Sequence, residues 1–239
     1  MRAPTESPRL GVLGGMGPLA TVDFMHKLIK ATPTQSDQDH LPVVAYSVPQ
    51  IPDRSTAFMM GSDAPWPYLL DGLRTLETAG AKAIAIPCNT AHVWHGRLAA
   101  QTHTTILHIG QIACAQVVRI AGGSCRVGLM ATSATLAARI YHDALEAAGA
   151  TVVEPDQATQ LQCVMEGIRA VKAGRLAGGR TLLLDAAHAL AESEGGPVAA
   201  SVHRNPDRAG GCHIQSAQRR HHRHAGEGLR GVVETIFLG

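Results

Sequence analysis

Apolar residues in this chain come in short runs separated by stretches of helical spacing, and that alternation is the first guide to its fold. Leu10-Gly11-Val12-Leu13 is a strand-length run entering the loop Gly14-Gly15-Met16-Gly17-Pro18. The loop continues through Leu19-Ala20-Thr21, and Val22 to Ala31 then carries helical spacing with Phe24, Leu28 and Ile29. Val43 to Val48 is a second strand, followed by a loop over Pro49 to Arg54. Tyr68 to Ala79 is an amphipathic helix stopped by Gly80. Ala83 to Ile86 is a third strand, ended by Pro87, and Cys88, Asn89 and Thr90 follow at once. After Ala91 the pattern turns helical. Strands and helices alternating through short loops predict a parallel sheet covered on both faces.

The second half repeats the first. Cys125 to Thr135 echoes the opening strand and loop, and Leu136 to Ala148 reads as a helix stopped by Gly149. Thr151-Val152-Val153 is a strand ending at Glu154-Pro155, and Gln160 to Ala173 is a further helix. The prediction is an α/β protein of two similar doubly wound parallel-sheet domains with the active site in the cleft between them. Residues 1–103 form the first domain and 104–192 the second. From Ser193 onward Gly, Arg and His dominate, no apolar periodicity survives, and no strand precedes Val202. Residues 193–239 are therefore expected to be an aberrant tail.

Composition narrows the class. At 45% hydrophobic, 239 residues can bury a good core, and with 3% aromatics that core must be built from Ala, Val, Ile and Leu. A net charge of +2 argues for no nucleic-acid partner, and no apolar run approaches bilayer length, so no membrane partner is expected. Five cysteines without paired or metal-like spacing suit reduced thiols in a cytoplasm. Met1 to Arg9 is polar and Pro-containing, unlike a signal peptide.

The candidate chemistry sits where the strands end. Cys88 at the carboxyl end of a buried strand can act as a nucleophile or a proton-transferring base, and a helix N-terminus after it would favour the thiolate. A small apolar residue filling a gap is the competing reading, weakened by the polar Asn89 and Thr90 beside it. The glycines around Gly15 and Met16 let backbone N–H groups approach a carboxylate or phosphate, although a tight turn with nothing bound reads equally well. The dinucleotide fingerprint is absent, since no acidic residue closes a second strand at the required distance. Arg54 is the only arginine between Arg9 and Arg74. It is either a bidentate partner for a substrate carboxylate or an ordinary solvated side chain. Thr132, Ser133 and Thr135 are helix caps or ligands facing the glycine loop.

Three motifs then fall in order: Gly14-Gly15-Met16-Gly17-Pro18, Pro87-Cys88-Asn89-Thr90-Ala91-His92 and Ala131-Thr132-Ser133-Ala134-Thr135. Together, over about residues 9 to 192, the chain resembles the aspartate/glutamate racemase family. The resemblance implies an enzyme that needs no cofactor and no metal, acting on a small acidic amino acid. It also implies a two-base mechanism in which one cysteine removes the α-proton and a second returns a proton on the opposite face. Cys88 matches the first base. Asn89 and Thr90 match residues that hold the substrate's carboxylate and amino groups. Arg54, Thr132, Thr135 and Lys172 fall where the family places further substrate contacts. Dimers are usual for the family. Hydantoin racemisation, maleate isomerisation and a non-catalytic remnant binding small dicarboxylates stand as alternatives. The chemistry suits thiols, because a carbanion beside a carboxylate needs fixed donors in a dry site and bases whose pKa can approach the working pH.

The resemblance stops near Ser193. The family's second cysteine is expected in a Cys-Thr-Glu-Ile-Pro motif, where this chain has Val202-His203-Arg204-Asn205-Pro206-Asp207-Arg208-Ala209. Reading the codons of those residues one base later permits Cys-Thr-Glu-Ile-Pro-Ile-Ala-Leu. The same offset turns Arg219-Arg220-His221-His222-Arg223-His224-Ala225 into a permitted Val-Val-Ile-Ile-Asp-Thr-Leu. A frameshift around Ser193 to Gly195 is the expectation, which removes the metal reading of His221, His222 and His224 and any catalytic role for Cys212.

Overall fold

Inner strands of a parallel sheet are buried on both faces, and the backbone from Leu10 to Gly14 meets that condition. A computed structural model describes residues 8–121, 125–192 and 198–201. Two compact units meet at the Ile109–Gly110 bond. In the first, β1 (Arg9–Gly14) pairs in parallel with β2 (Val43–Ser47) on one side and with β3 (Ala81–Ala85) on the other. The two-residue β4 (Thr105–Ile106) pairs with β3, giving the order β2-β1-β3-β4.

Period-2 alternation divides these strands between two helical layers. Leu10, Val12 and Ala85 pack against Phe24, Met25 and Leu28 of α1 (Pro18–Ala31). Leu13 and Ile84 pack on the other face against Leu69, Leu73 and Leu76 of α3 (Trp66–Thr78). Helix α1 begins four residues earlier than the spacing predicts, because Pro18 takes the first helical turn, where its missing N–H costs nothing. The expected loop at Arg54 gives way to a short α2 (Arg54–Met59), capped by the Asp53 carboxylate accepting Thr56 N–H at 2.8 Å. After β3 the chain forms a 3-10 turn over Thr90–Trp94, then α4 (His95–Ala99). Helix α5 (Ile109–Ala121), absent from the expected elements, follows β4.

In the second unit, β5 (Arg126–Met130) lies between β6 (Thr151–Val153) and β7 (Val198–Ser201), all parallel. Strand β7 is a correction: a strand does precede Val202, pairing Val127 with Val198 through Met130 with Ser201. Four residues are too few to carry a periodicity, and it is pairing with β5 that makes this segment a strand. The rest of the tail, with Val202 to Ala209, Cys212 and the His221–His224 cluster, lies outside the described residues.

The single helix expected over Leu136 to Ala148 is two, α6 (Ser133–Ala137) and α7 (His142–Ala147). They are separated where Arg139 adopts φ 53°, its guanidinium bonded to Asp143 and Glu146. The helix expected over Gln160 to Ala173 runs as α8 (Gln157–Thr159), a wider π-helical segment over Gln160–Met165, and α9 (Glu166–Lys172). Helix α10 (Leu176–Glu192), unread in the sequence, completes the core of Met130, Val164, Ile168, Val171, Leu183, Ala186 and Leu190. Both units are thus α/β with parallel sheets.

Candidate active site

Because β1 lies between β2 and β3, their carboxyl ends deliver three loops to one edge of the first sheet: Gly14–Gly17, Pro49–Asp53 and Pro87–Asn89. Open α/β sheets bind ligands at such an edge. The glycine loop is held close. Gly14 carbonyl accepts Val48 N–H at 3.1 Å, and Gly15 N–H donates to Thr21 Oγ1 at 2.8 Å. Gly15 has φ +91°, and a Cβ there would fall 2.3 Å from Val48 N, so no other residue fits.

Arg54 is buried, not solvated. Its Nη1 donates to the Ile51 carbonyl at 2.8 Å and the Pro52 carbonyl at 2.9 Å, and its Nη2 to the Met16 carbonyl at 3.1 Å. Nε is buried without a hydrogen-bond partner, and among the described residues no carboxylate pairs with this guanidinium. A buried cation held by neutral carbonyls alone is electrostatically incomplete. The Met16 bond also ties the glycine loop to the start of α2 across 38 positions of sequence.

Cys88 is buried in the same apolar cluster as Met16. Its N–H closes a three-residue turn onto the Ile86 carbonyl at 2.7 Å around Pro87, and its carbonyl accepts from the His92 ring at 2.8 Å. Asn89 is half-buried and Thr90 buried, next to it at the start of the 3-10 turn. The helical segment after Cys88 is short, a 3-10 turn leading to the five residues of α4. Burial pushes the Cys114 thiol up to about 11 and also raises Cys125.

Sequence reasoning passed over three histidines here. His92 is buried, stacked on His95 with ring centroids 5.8 Å apart and edge-on to His108 at 5.2 Å. Burial lowers His92 to about 4, helped by His108 and His95 and opposed by its bond to the Cys88 carbonyl. His108 lies 16 positions from His92, beyond any local pattern, and only the β3–β4 pairing brings the two together. Among the described residues no group of three or more His, Cys, Asp or Glu is placed to hold a metal ion. No described helix is long and apolar enough to cross a membrane.

In the second unit, Thr132 caps α6. Its Oγ1 accepts Thr135 N–H at 3.2 Å and lies 2.9 Å from Thr135 Oγ1, and Thr135 is fully buried. Gln160 Nε2 donates to the Ala131 carbonyl at 2.9 Å and lies 3.3 Å from Ser133 Oγ, fixing the loop from behind. Lys172 is exposed at the end of α9, away from these threonines in sequence and element. The structure thus ties Met16 to Arg54 by a direct hydrogen bond, with Gly15 beside Met16 in the glycine loop, and brings Cys88, Asn89 and Thr90 to the neighbouring strand end. Thr132 and Thr135 form their own pair.

The sequence profile of the Asp/Glu/hydantoin racemase family matches residues 13–199. A curated relative is the broad specificity amino-acid racemase RacX of Bacillus subtilis (strain 168), 30% identical over 169 residues, covering 68% of this chain and 70% of the relative. Among solved structures, Picrophilus torridus aspartate racemase superposes with a TM-score of 0.68 at 31% identity, covering 76% of this chain and 75% of that one. An aspartate racemase homologue from Pyrococcus horikoshii OT3 superposes with a TM-score of 0.62 at 21% identity, covering 81% and 84%.

Proposed function

From the premise that this chain belongs to the Asp/Glu/hydantoin racemase family, whose general chemistry is amino-acid racemisation, we propose that it acts on the α-proton of an acidic amino acid with Cys88 as base. The observation that carries the reading is Arg54. A buried guanidinium with three carbonyl partners, a free Nε and no carboxylate among the described residues is built to receive an anion. Such a donor fork recognises a planar carboxylate.

The mechanism follows in order. The substrate carboxylates are held by Arg54, with Asn89 and Thr90 orienting the amino acid and the glycine loop at Gly15 and Met16 approaching from β1; Thr132, Thr135 and Lys172 remain the further substrate contacts that the family resemblance implies. No cofactor or metal takes part. The Cys88 thiolate takes the α-proton, and the carbanion spreads into the adjoining carboxylate held by fixed donors. Return of a proton on the opposite face needs a second base. Strand β7 stands beside β5 as β3 stands beside β1, so the position just after β7 corresponds in topology to that of Cys88. This chain has Val202 there, and the family match stops at residue 199. Val202 at that position, where the family resemblance expects a cysteine, supports a reading frame lost near Ser193 and a racemase impaired in its second half-reaction.

Deuterium wash-in at Cα of aspartate and glutamate in D2O, followed by NMR, tests the proposal. Exchange into one enantiomer, abolished by Cys88→Ser, is the expected result. Absence of exchange with both amino acids leaves the chain a dicarboxylate-binding remnant at most.

A further inference from the structure

His92 links the Cys88 loop to the segment by which the chain leaves the first unit, and both of its ring nitrogens are committed to the main chain. Nε2 receives the Ile109 N–H at 3.1 Å, so that nitrogen carries a lone pair. In a neutral imidazole the proton then belongs to Nδ1, which donates it to the Cys88 carbonyl at 2.8 Å. The Leu107 carbonyl, 3.4 Å from Nε2, is the acceptor that a charged ring would use, at the cost of the Ile109 bond. The titratable groups facing the ring are His95 and His108, and neither favours a charge on it. The main-chain N–H of His92 also donates to the Asn89 carbonyl at 3.0 Å.

The consequence falls on Cys88. Its N–H is bound to the Ile86 carbonyl and its own carbonyl to His92, so both of its backbone polar groups are fixed and only the side-chain torsion remains free. A proton-transferring thiol must be held within a fraction of an ångström of its working position. We propose that His92 is a positioning residue for Cys88: by holding the Cys88 carbonyl and the Ile109 amide at once, it sets the aim of the thiol relative to the start of α5. The proposal rests on the reading of Cys88 as the base, and its tests are chosen to stand apart from that reading.

Three variants separate the two bonds. His92→Asn places an amide N–H near the Nδ1 position, His92→Gln reaches the Nε2 position, and His92→Leu keeps volume with neither. In the wild-type protein at pH 7, imidazole nitrogen shifts should report the Nδ1–H tautomer for His92. His92→Leu should lower kcat for α-proton exchange about tenfold with KM within about twofold. It should also change the alkylation rate of Cys88 relative to Cys125 by about threefold or more, a readout that needs no turnover. His92→Asn should recover both to within about threefold, and His92→Gln should not. An Nε2–H tautomer would overturn the proposal, as would an unchanged Leu variant, or variants that lose exchange only in proportion to their unfolded fraction. If Cys88→Ser retains exchange, the catalytic reading fails instead, and the tautomer and alkylation results still decide the role of His92.

Discussion

At the scale of single residues, the buried groups around β1 and β3 make opposite demands. Arg54 keeps its charge with only carbonyl partners among the described residues, whereas burial favours an uncharged His92. Arg54→Lys keeps the charge and loses the fork, so KM for acidic amino acids should rise about tenfold or more while kcat changes less, as steady-state exchange kinetics would reveal. Cys88→Ser buries a hydroxyl in an apolar cluster, so it should cost about 1 kcal/mol of stability in urea denaturation while removing exchange altogether. For His92 the sign is fixed by its depressed pKa. Between about 4 and the ordinary value of 6.5 the unfolded chain binds the proton and the folded one does not. Stability is therefore full above pH 6.5 and falls as pH drops toward 4, by on the order of 3 kcal/mol. Denaturation midpoints across that window should slope accordingly, and His92→Asn should flatten the slope.

At the scale of elements, close backbone approach decides which glycines can be replaced. A Cβ at Gly179 would meet Val171 Cγ2 at 2.7 Å and the Gly167 carbonyl at 2.9 Å, where α10 crosses α9. Its neighbour Gly178 has nothing within 4 Å. Gly178→Ala should therefore stabilise by about 0.5–1 kcal/mol, the helix-propensity gain, whereas Gly179→Ala should destabilise by about 1–3 kcal/mol. Chemical denaturation of the pair checks both signs, and equal effects would contradict the tight crossing. In the first unit, Gly15→Ala adds a wrong-handed φ to a collision with Val48 N, and a loss of about 3 kcal/mol or more is expected by the same measurement.

At the scale of the whole molecule, two parallel-sheet units repeat one order of strands, and the chemistry proposed for them needs a base from each. Among the described residues, Cys88 is the one cysteine that follows directly on the carboxyl end of a strand. Replacing the tail with the product of the frame one base later should convert single-enantiomer exchange into racemisation, read by polarimetry or chiral chromatography. Racemisation at full rate by the present chain would refute the frameshift reading, and intact mass would show which tail is expressed.

The inner strands, the glycine loop, the thiol loop and the repeat of the halves were legible from the sequence alone. Apolar runs buried on both faces and polar groups clustered at their ends are local signals, carried within ten residues. Everything that depended on a distant partner had to wait for the tertiary structure. Strands β4 and β7 are two and four residues long, and only pairing with β3 and β5 makes them strands. The break at Arg139 is a local backbone choice, and carboxylates four and seven residues further on hold its guanidinium. Whether Arg54 was solvated or buried turned on partners such as the Met16 carbonyl, 38 positions away. The coupling of His92 to Cys88 and Ile109 likewise arose only when β4 brought Leu107 to Ile109 beside the thiol loop. Hydrophobic periodicity is set by neighbours along the chain, but burial and hydrogen-bond partners are set by neighbours in space, and the functional reading of this protein rests on the second kind.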